Sequence, residues 1–389
     1  MKKEITNYKR MSYKGFEKKL AALVCALMMV FACQNTFAAT EETEAFDAGP
    51  FIIEHVIDSY GWHICGDGDK SVTIPLPIIL FDEGRPVVFM SNKFHHGEAA
   101  YNGYAMGWEE DTKGRIVKLE GNYVDYTGHL EEGEIYANHV CKWDISITKN
   151  VCSLLISIIL ITCIFLSIAK RYREHPDEVP SGLQALVEPV IVFIQDEVIT
   201  PSLGKNSNKY APYLLTLFFF IFLNNMLGII PIFPGGANLT GNIAVTGILA
   251  LITFFVTTFS SGKEYWKDIF NTPGVPWWLK IPLPIMPLVE TIGIFTKPFV
   301  LMVRLFANIT AGHIITLAFV SLIFIFGQMN PVIGWAVSPV SVFFYIFMGL
   351  MELLVAFIQA FVFTLLSAMY IGMAIGEEEH EEAHEVVKA

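Results

Sequence analysis

An all-α polytopic membrane protein carrying a small β-rich external domain is the fold class this sequence predicts. Three observations predict it. The chain is 53% hydrophobic and only 16% charged, with a mean hydropathy of +0.48, too apolar for a water-soluble domain of this size. Several apolar stretches reach or exceed the ~20 residues a helix needs to cross a bilayer. The net charge of −12 gathers in residues 40–145 and in the C-terminal tail, leaving the long stretch between them poor in charge. A basic footprint for nucleic acid is absent, so no nucleic-acid partner is expected.

Residues 1–39 begin with Lys2, Lys3, Lys9, Arg10, Lys14, Lys18 and Lys19, continue as a short apolar run and end in small residues around Ala38-Ala39. That order is the pattern of a secretory signal peptide. Residues 40–145 read as an acidic external, periplasmic domain. Within it, 71–81 and 86–90 form a hairpin around the Asp82-Glu83-Gly84-Arg85 turn, and 114–120 forms another strand. Its histidines, His55, His63, His95, His96, His129 and His139, follow no metal-ligand spacing and read as ordinary surface and loop residues. Cys65 and Cys141 are the two cysteines of this domain. Export would let them close a disulfide, while two unrelated free thiols fit the spacing equally well.

Residues 146–376 form the membrane domain. A span over 151–169 ends at Lys170-Arg171-Tyr172-Arg173, which marks that end as cytoplasmic. Residues 180–199 mix apolar residues with Gln184, Glu188, Gln195, Asp196 and Glu197, as an amphipathic helix lying on the membrane surface does. Spans over 210–231 and 242–260 follow, then a loop with Lys263, Lys267, Lys280 and Trp277-Trp278. Two longer segments, 288–326 and 340–375, flank the charge-free loop 327–339. Each exceeds a simple crossing, so the pair is expected to tilt or kink as a hairpin, with Pro298 as a kink or a late helix start. This gives about five membrane helices plus one interfacial amphipathic helix. The chain then lies in the cell inner membrane, with the acidic tail 377–389 in the cytoplasm.

The hairpin holds most of the polar residues at membrane depth: Glu290, Lys297, Arg304, Asn308 and His313 on its first arm, Glu352 and Gln359 on its second. A charged side chain at mid-bilayer costs about 2.5–3.5 kcal/mol on insertion scales, so such residues generally serve an ion or substrate path. His313 and Glu352 are nearly equidistant from the loop, as are Arg304 and Gln359, so an imidazole is level with a carboxylate and a guanidinium with an amide. At about 1.5 Å rise per residue the His/Glu level lies roughly 10–14 Å nearer the outside. At about 100° per residue Arg304, Ala307, Asn308 and Ala311 share one face, and His313 points roughly opposite. The pattern suggests two offset aqueous paths meeting near a fixed positive charge. A His beside a Glu passes protons near neutral pH; an Arg does not, but it attracts a carboxylate. This chain supplies no carboxylate at the Arg face, so a partner subunit is expected to bring it.

The block Arg304-Leu-Phe-Ala-Asn308-Ile-Thr-Ala-Gly312-His313, preceded by Lys297-Pro298 and followed by Ile358-Gln359-Ala-Phe-Val-Phe363, resembles subunit a of F-type ATP synthases. Pro180-Ser-Gly-Leu-Gln184 with Glu188, and Phe222-Leu-Asn-Asn225 through Ile230-Pro231, are similar to earlier parts of that family. The resemblance covers about 145–375. It implies that Arg304 is the stator charge facing the carboxylate of the rotating c-subunit ring, that Asn308 and Gln359 line that contact, and that Glu290 belongs to the cytoplasmic path. By the same resemblance, His313 and Glu352 belong to the external one. It further implies b subunits of the peripheral stalk and other ATP synthase subunits as partners beside the lipid bilayer. The ion is H+ or Na+, left open because its binding carboxylate lies on the ring. Many bacterial members carry Glu at the position of His313 and His at that of Glu352, so the pair is exchanged here. The turn Asn225-Met-Leu-Gly228 lacks the acidic residue some members have.

No Gly-rich phosphate loop is present, so this chain is expected to be a non-catalytic subunit without cofactor, and nucleotide chemistry falls to other subunits. Two rival classes are a secondary transporter, which calls for repeated halves with broken helices, and a membrane zinc protease. The protease rests on His380-Glu-Glu-Ala-His384, a literal H-E-x-x-H. That motif sits in an acidic tail with neither a third ligand nor a cleft, and reads as coincidence.

Overall fold

The computed structural model describes residues 48–65, 72–82, 84–97, 99–107, 112, 114–120, 136–141, 143–175, 178–230, 235–270 and 285–388. The expected signal segment 1–39, the loop holding Trp277, Trp278 and Lys280, and His129 lie outside them. Two compact units emerge, the first containing 60–146, the second 46–59 together with 147–389. Residues 46–59, read from sequence as part of the external domain, therefore cluster with the helical unit.

Among its described residues the first unit holds seven strands: β1 (Gly61–Cys65), β2 (Val72–Pro75), β3 (Pro77–Asp82), β4 (Arg85–Met90), β5 (Tyr104–Met106), β6 (Ile116–Glu120) and β7 (Tyr136–Val140). They form three small antiparallel sheets, β1-β2, β3-β4 and β5-β6-β7. The β3-β4 hairpin turns at Gly84, whose φ of 78° suits a residue without a side chain. The run 71–81, expected as one strand, is two. Pro75 and Pro77 each lack an N–H for the ladder, and the chain changes partner between them, β2 pairing with β1 and β3 with β4. Ile78, Leu80 and Phe89 point inward with Phe94, Tyr104 and Ile116. Phe94 meets Phe89 edge-on at 5.3 Å. At the rim of this cluster Asp82 accepts a hydrogen bond of 2.8 Å from the Tyr104 hydroxyl and pairs with Lys118 at 2.6 Å.

Cys141 is a free thiol, which agrees with the second of the two arrangements the sequence left open. The reason is topological: Cys65 ends β1 and pairs across to Val72, whereas the Cys141 backbone bonds to Ile116 of the other sheet. Burial, then the nearby carboxylates of Asp82 and Asp144, push the Cys141 thiol up to about 11.

The second unit comprises α1 (Ala48–Val56), α2 (Lys149–Glu174), α3 (Leu183–Ile194), a π-helical turn (Gln195–Ile199), α4 (Thr200–Leu203), a 3₁₀ turn (Gly204–Asn206), α5 (Ser207–Ile229), α6 (Ile243–Ser260), α7 (Lys263–Phe270), α8 (Ile285–Met329) and α9 (Pro331–Lys388). Among the described residues five helical segments are long and apolar enough to cross a membrane: 149–174, 183–229, 243–260, 288–329 and 331–375. The helix expected to lie apart on the surface, 180–199, instead runs through the π and 3₁₀ turns into the next span.

α2 shows the inversion that a lipid environment produces. Its buried residues include Lys149, Asn150, Ser153 and Ser157, while Leu155, Ile158, Ile159 and Leu166 are exposed. Lipid tails are as apolar as leucine, so helices gain by turning polar groups inward to one another.

α8 and α9 form the hairpin, with a shorter turn than expected. The charge-free loop 327–339 shrinks to Asn330. Its side-chain oxygen accepts from the Val332 N–H at 2.8 Å, and Pro331 opens α9, so Asn-Pro here is an N-cap followed by a first-turn proline. The arms nearly touch at Gly327 and Gly334, where a Cβ on Gly334 would stand 2.6 Å from the Gly327 Cα. Leu301, Leu305 and Ile309 of α8 join Ala360, Phe363, Ala368 and Ile371 of α9 and Leu214, Phe218 and Ile221 of α5 in one apolar core.

Candidate ion-translocation site

On α8 the residues Leu301, Leu305 and Ile309, spaced four apart, are buried in that core. On the neighbouring side of the same helix Arg304, Ala307, Asn308 and Ala311 are all exposed. The face read from the helical period is thus an open face of the subunit. Small residues at 307 and 311 leave room for another helix to approach the guanidinium closely. Among the described residues no carboxylate pairs with Arg304. Gln359 is placed differently from its level-matched partner: it is 7% exposed, inside the helical core rather than on the open face beside Arg304 and Asn308.

Nine residues further along α8, about 13.5 Å, His313 turns inward and meets α9. Its Nδ1 lies 4.0 Å from Glu352 Oε1, the two side chains being 17% and 11% exposed. Thr316, one turn from His313, donates its hydroxyl to the same oxygen at 2.7 Å. Two glycines make the fit. A Cβ on Gly312 would lie 3.1 Å from Glu352 Oε1, and one on Gly228 would lie 3.5 Å from His313 Nε2. The buried Lys149 ammonium at the start of α2 lies near enough for its charge to act on His313.

Around this pair the interior is polar. Asn150, Ser153, Ser157, Asn224, Asn225, Asn238 and Thr240 are all buried. Thr240 donates to Asn225 at 2.6 Å, while the Asn150 and Asn224 side-chain oxygens and the Asn238 amide nitrogen have no partner. Buried polar atoms left open in this way are sites for bridging water. Thr316, Lys149 and the Ser/Asn stripe of α2 escaped the sequence reading because single Ser, Thr and Asn residues in an apolar run commonly bond back to their own helix. The signal was the four-residue spacing of Lys149, Ser153 and Ser157.

On the other side of Arg304 along α8 a cavity opens between α6, α7, α8 and α9, lined among others by Thr257, Tyr265, Lys297, Pro298 and Tyr370. Lys297 Nζ sits 5.4 Å from the Tyr370 ring centroid, a cation–π contact joining the hairpin arms, and the Thr257 hydroxyl is buried without a partner. Glu290 is exposed two turns before Lys297 and outside the cavity lining. Among the described residues no group of three or more His, Cys, Asp and Glu is placed to hold a metal ion. His380 and His384 fall in the last turns of α9, and their side chains lie outside the described ones.

Comparison with known proteins follows this geometry. The family model described as ATP synthase A chain matches residues 151–372, and a domain of unknown function, DUF8433, matches residues 51–145. ATP synthase subunit a of Chloroherpeton thalassium is 36% identical over 291 residues, covering 71% of this chain and 83% of that protein. ATP synthase subunit a 2 of Chlorobium luteolum is 44% identical over 222 residues, 56% of this chain and 62% of its own. ATP synthase subunit a of Myxococcus xanthus is 41% identical over 225 residues, 56% of this chain and 69% of its own. With the family matched over more than half of its length, including α8 and most of α9, this chain belongs to the ATP synthase subunit a family, as a multi-pass membrane subunit of the Fo stator.

Proposed function

We propose that this subunit carries protons to and from a carboxylate on the c-subunit ring through two offset half-channels separated by Arg304. The observation that carries the reading is the opposition of two sites on one helix: an exposed guanidinium face without an internal counter-charge, and an inward imidazole–carboxylate pair about 13.5 Å away along the axis.

In this reading a proton enters on the His313/Glu352 side, is handed between imidazole and carboxylate along the water sites near Asn150 and Asn224, and reaches a ring carboxylate. When rotation brings an ionised ring carboxylate opposite Arg304, the pair attracts by about 4 kcal/mol at 4 Å and an effective dielectric constant of 20. That is about three pKa units at 1.36 kcal/mol each, enough to hold the carboxylate ionised as it passes. Arg304 itself keeps its protons, so it separates the two paths. Release proceeds through the cavity at Lys297, Thr257 and Tyr370, with Glu290 at its outer approach. The peripheral-stalk b subunits hold the chain against the ring, and the His313/Glu352 side faces the periplasm of an inner membrane.

Arg304→Ala in membranes bearing the assembled enzyme tests this. ATP-driven proton pumping should vanish while the subunit remains assembled; coupled pumping at the wild-type level would overturn the assignment.

A further inference from the structure

Among its described residues the β-rich unit carries an exposed apolar face. Residues 143–146 run along the free edge of β3. The Phe81 N–H donates to the Trp143 carbonyl and the Ile145 N–H to the Ile79 carbonyl, each at 2.9 Å, and Leu80 pairs with Asp144. The segment thus acts as a third strand beside β3 and β4. In an antiparallel ladder directly opposed residues point to the same side. Leu80, Ile78 and Phe89 take the inner side. Ile79 and Phe81 of β3, Val88 of β4, and Trp143 and Ile145 of the added strand take the other. On that outer side Trp143 is 69% exposed and Val88 65%, with Phe81, Met90 and Ile145 exposed as well. Contiguous apolar side chains on three neighbouring strands mark an interaction surface rather than scattered exposure.

We propose that this face rests on the lipid bilayer, at the surface where α2 enters it. The argument is chain reach. Ile145 precedes Lys149, the first residue of the first membrane-crossing helix, by four residues, so at most about 14 Å separates them. The other end of the unit, Tyr60, directly follows Ser59, whose carbonyl accepts from the Lys149 N–H at 2.8 Å within the helical unit, where the Asp58 carboxylate accepts from the Asn150 N–H at 2.9 Å. Both ends of the unit therefore lie within short chain reach of the start of α2 and of a headgroup layer roughly 5–8 Å deep. Its composition suits that layer: an indole, whose apolar ring and polar N–H favour the membrane–water boundary, among aliphatic side chains. Charged Asp82 and Arg85 stand at the hairpin tip, where water remains in reach. The domain so docked adds a second, surface-lying attachment to a subunit whose spans must resist the torque of a moving partner.

The test uses the full chain in phosphatidylcholine nanodiscs. The emission of Trp143 is obtained as the difference between wild-type and Trp143→Phe protein. In discs whose lipid is brominated high on its acyl chains, this difference signal should lose most of its intensity, and aqueous acrylamide should quench it weakly. A difference signal quenched by acrylamide and not by the brominated lipid places the face in water and overturns the proposal. One quenched by neither means that protein covers the face, a second copy or another partner, and overturns it equally. Val88→Trp in the Trp143→Phe background supplies an independent probe on β4 and should show the same brominated-lipid quenching.

Discussion

His313 and Glu352 approach to 4.0 Å between Nδ1 and Oε1 across the α8–α9 interface, each largely withdrawn from solvent. Two groups this close and this buried act as a unit, so their contributions are not additive. Replacing either one, His313→Glu or Glu352→His, should lower proton-driven ATP synthesis in membrane vesicles by roughly 10²-fold, the scale of a lost acid–base partner. The double exchange should recover most of it. A double exchange no better than the single ones would mean that position, not chemistry, decides the pair.

Thr316 orients that carboxylate with a hydrogen bond of 2.7 Å. Thr316→Val keeps the shape and removes the donor, leaving the oxygen short of a partner at a cost of about 1–3 kcal/mol. The expected outcome is slower proton conduction with a displaced pH profile, and Thr316→Ser should restore both. Assembly, followed by the amount of subunit retained with the purified enzyme, should not change.

Gly312 and Gly228 bracket the pair, and the two sites answer differently to enlargement. Gly312→Ala places a methyl 3.1 Å from Glu352 Oε1, an overpacking of about 1–3 kcal/mol that should reduce conduction by pushing the carboxylate aside. Gly228→Asp extends a second carboxylate from 3.5 Å toward His313 Nε2. It should shift the pH at which ATP-driven pumping is half-maximal upward, because a negative neighbour favours the protonated imidazole.

Cys141 supplies a pH prediction in the β-rich unit. Burial and two carboxylates raise its thiol to about 11 in the folded protein, against about 8.5 unfolded. The unfolded state therefore gives up this proton first as pH rises. The stabilisation is complete below about pH 8.5 and is lost progressively toward pH 11. Alkylation of Cys141 at pH 8 should be slow in the folded protein and fast in denaturant, as read by mass spectrometry of the modified peptide.

The hairpin turn makes a stability prediction. Gly334 packs 2.6 Å, as a notional Cβ, from the Gly327 Cα, and both contacts are backbone that cannot move aside. Gly334→Val should force the arms of α8 and α9 apart at Asn330 and lower the subunit's thermal stability in detergent, while the same change at Gly349, where nothing lies within 4 Å, should leave it nearly unchanged.

What the sequence determined by itself follows from short-range rules. Hydropathy over ~20 residues marks membrane crossings wherever polar backbone must be satisfied within a helix, and the helical period put Arg304, Ala307, Asn308 and Ala311 on one face with His313 opposite. Near-equal distance from the expected loop 327–339 suggested His313 level with Glu352, and packing brings them to 4.0 Å although the turn falls at Asn330, nearer to His313. The tertiary structure decided what depends on neighbours far along the chain. It buried Gln359 while leaving Arg304 open, since depth says nothing of which side of a helix the core occupies. It replaced a thirteen-residue loop with the Asn330 cap, broke 71–81 between two prolines into strands with different partners, and left Cys141 a free thiol. Thr316, Gly228 and the polar stripe of α2 gain their meaning only from the helices that pack against them, which no local pattern encodes.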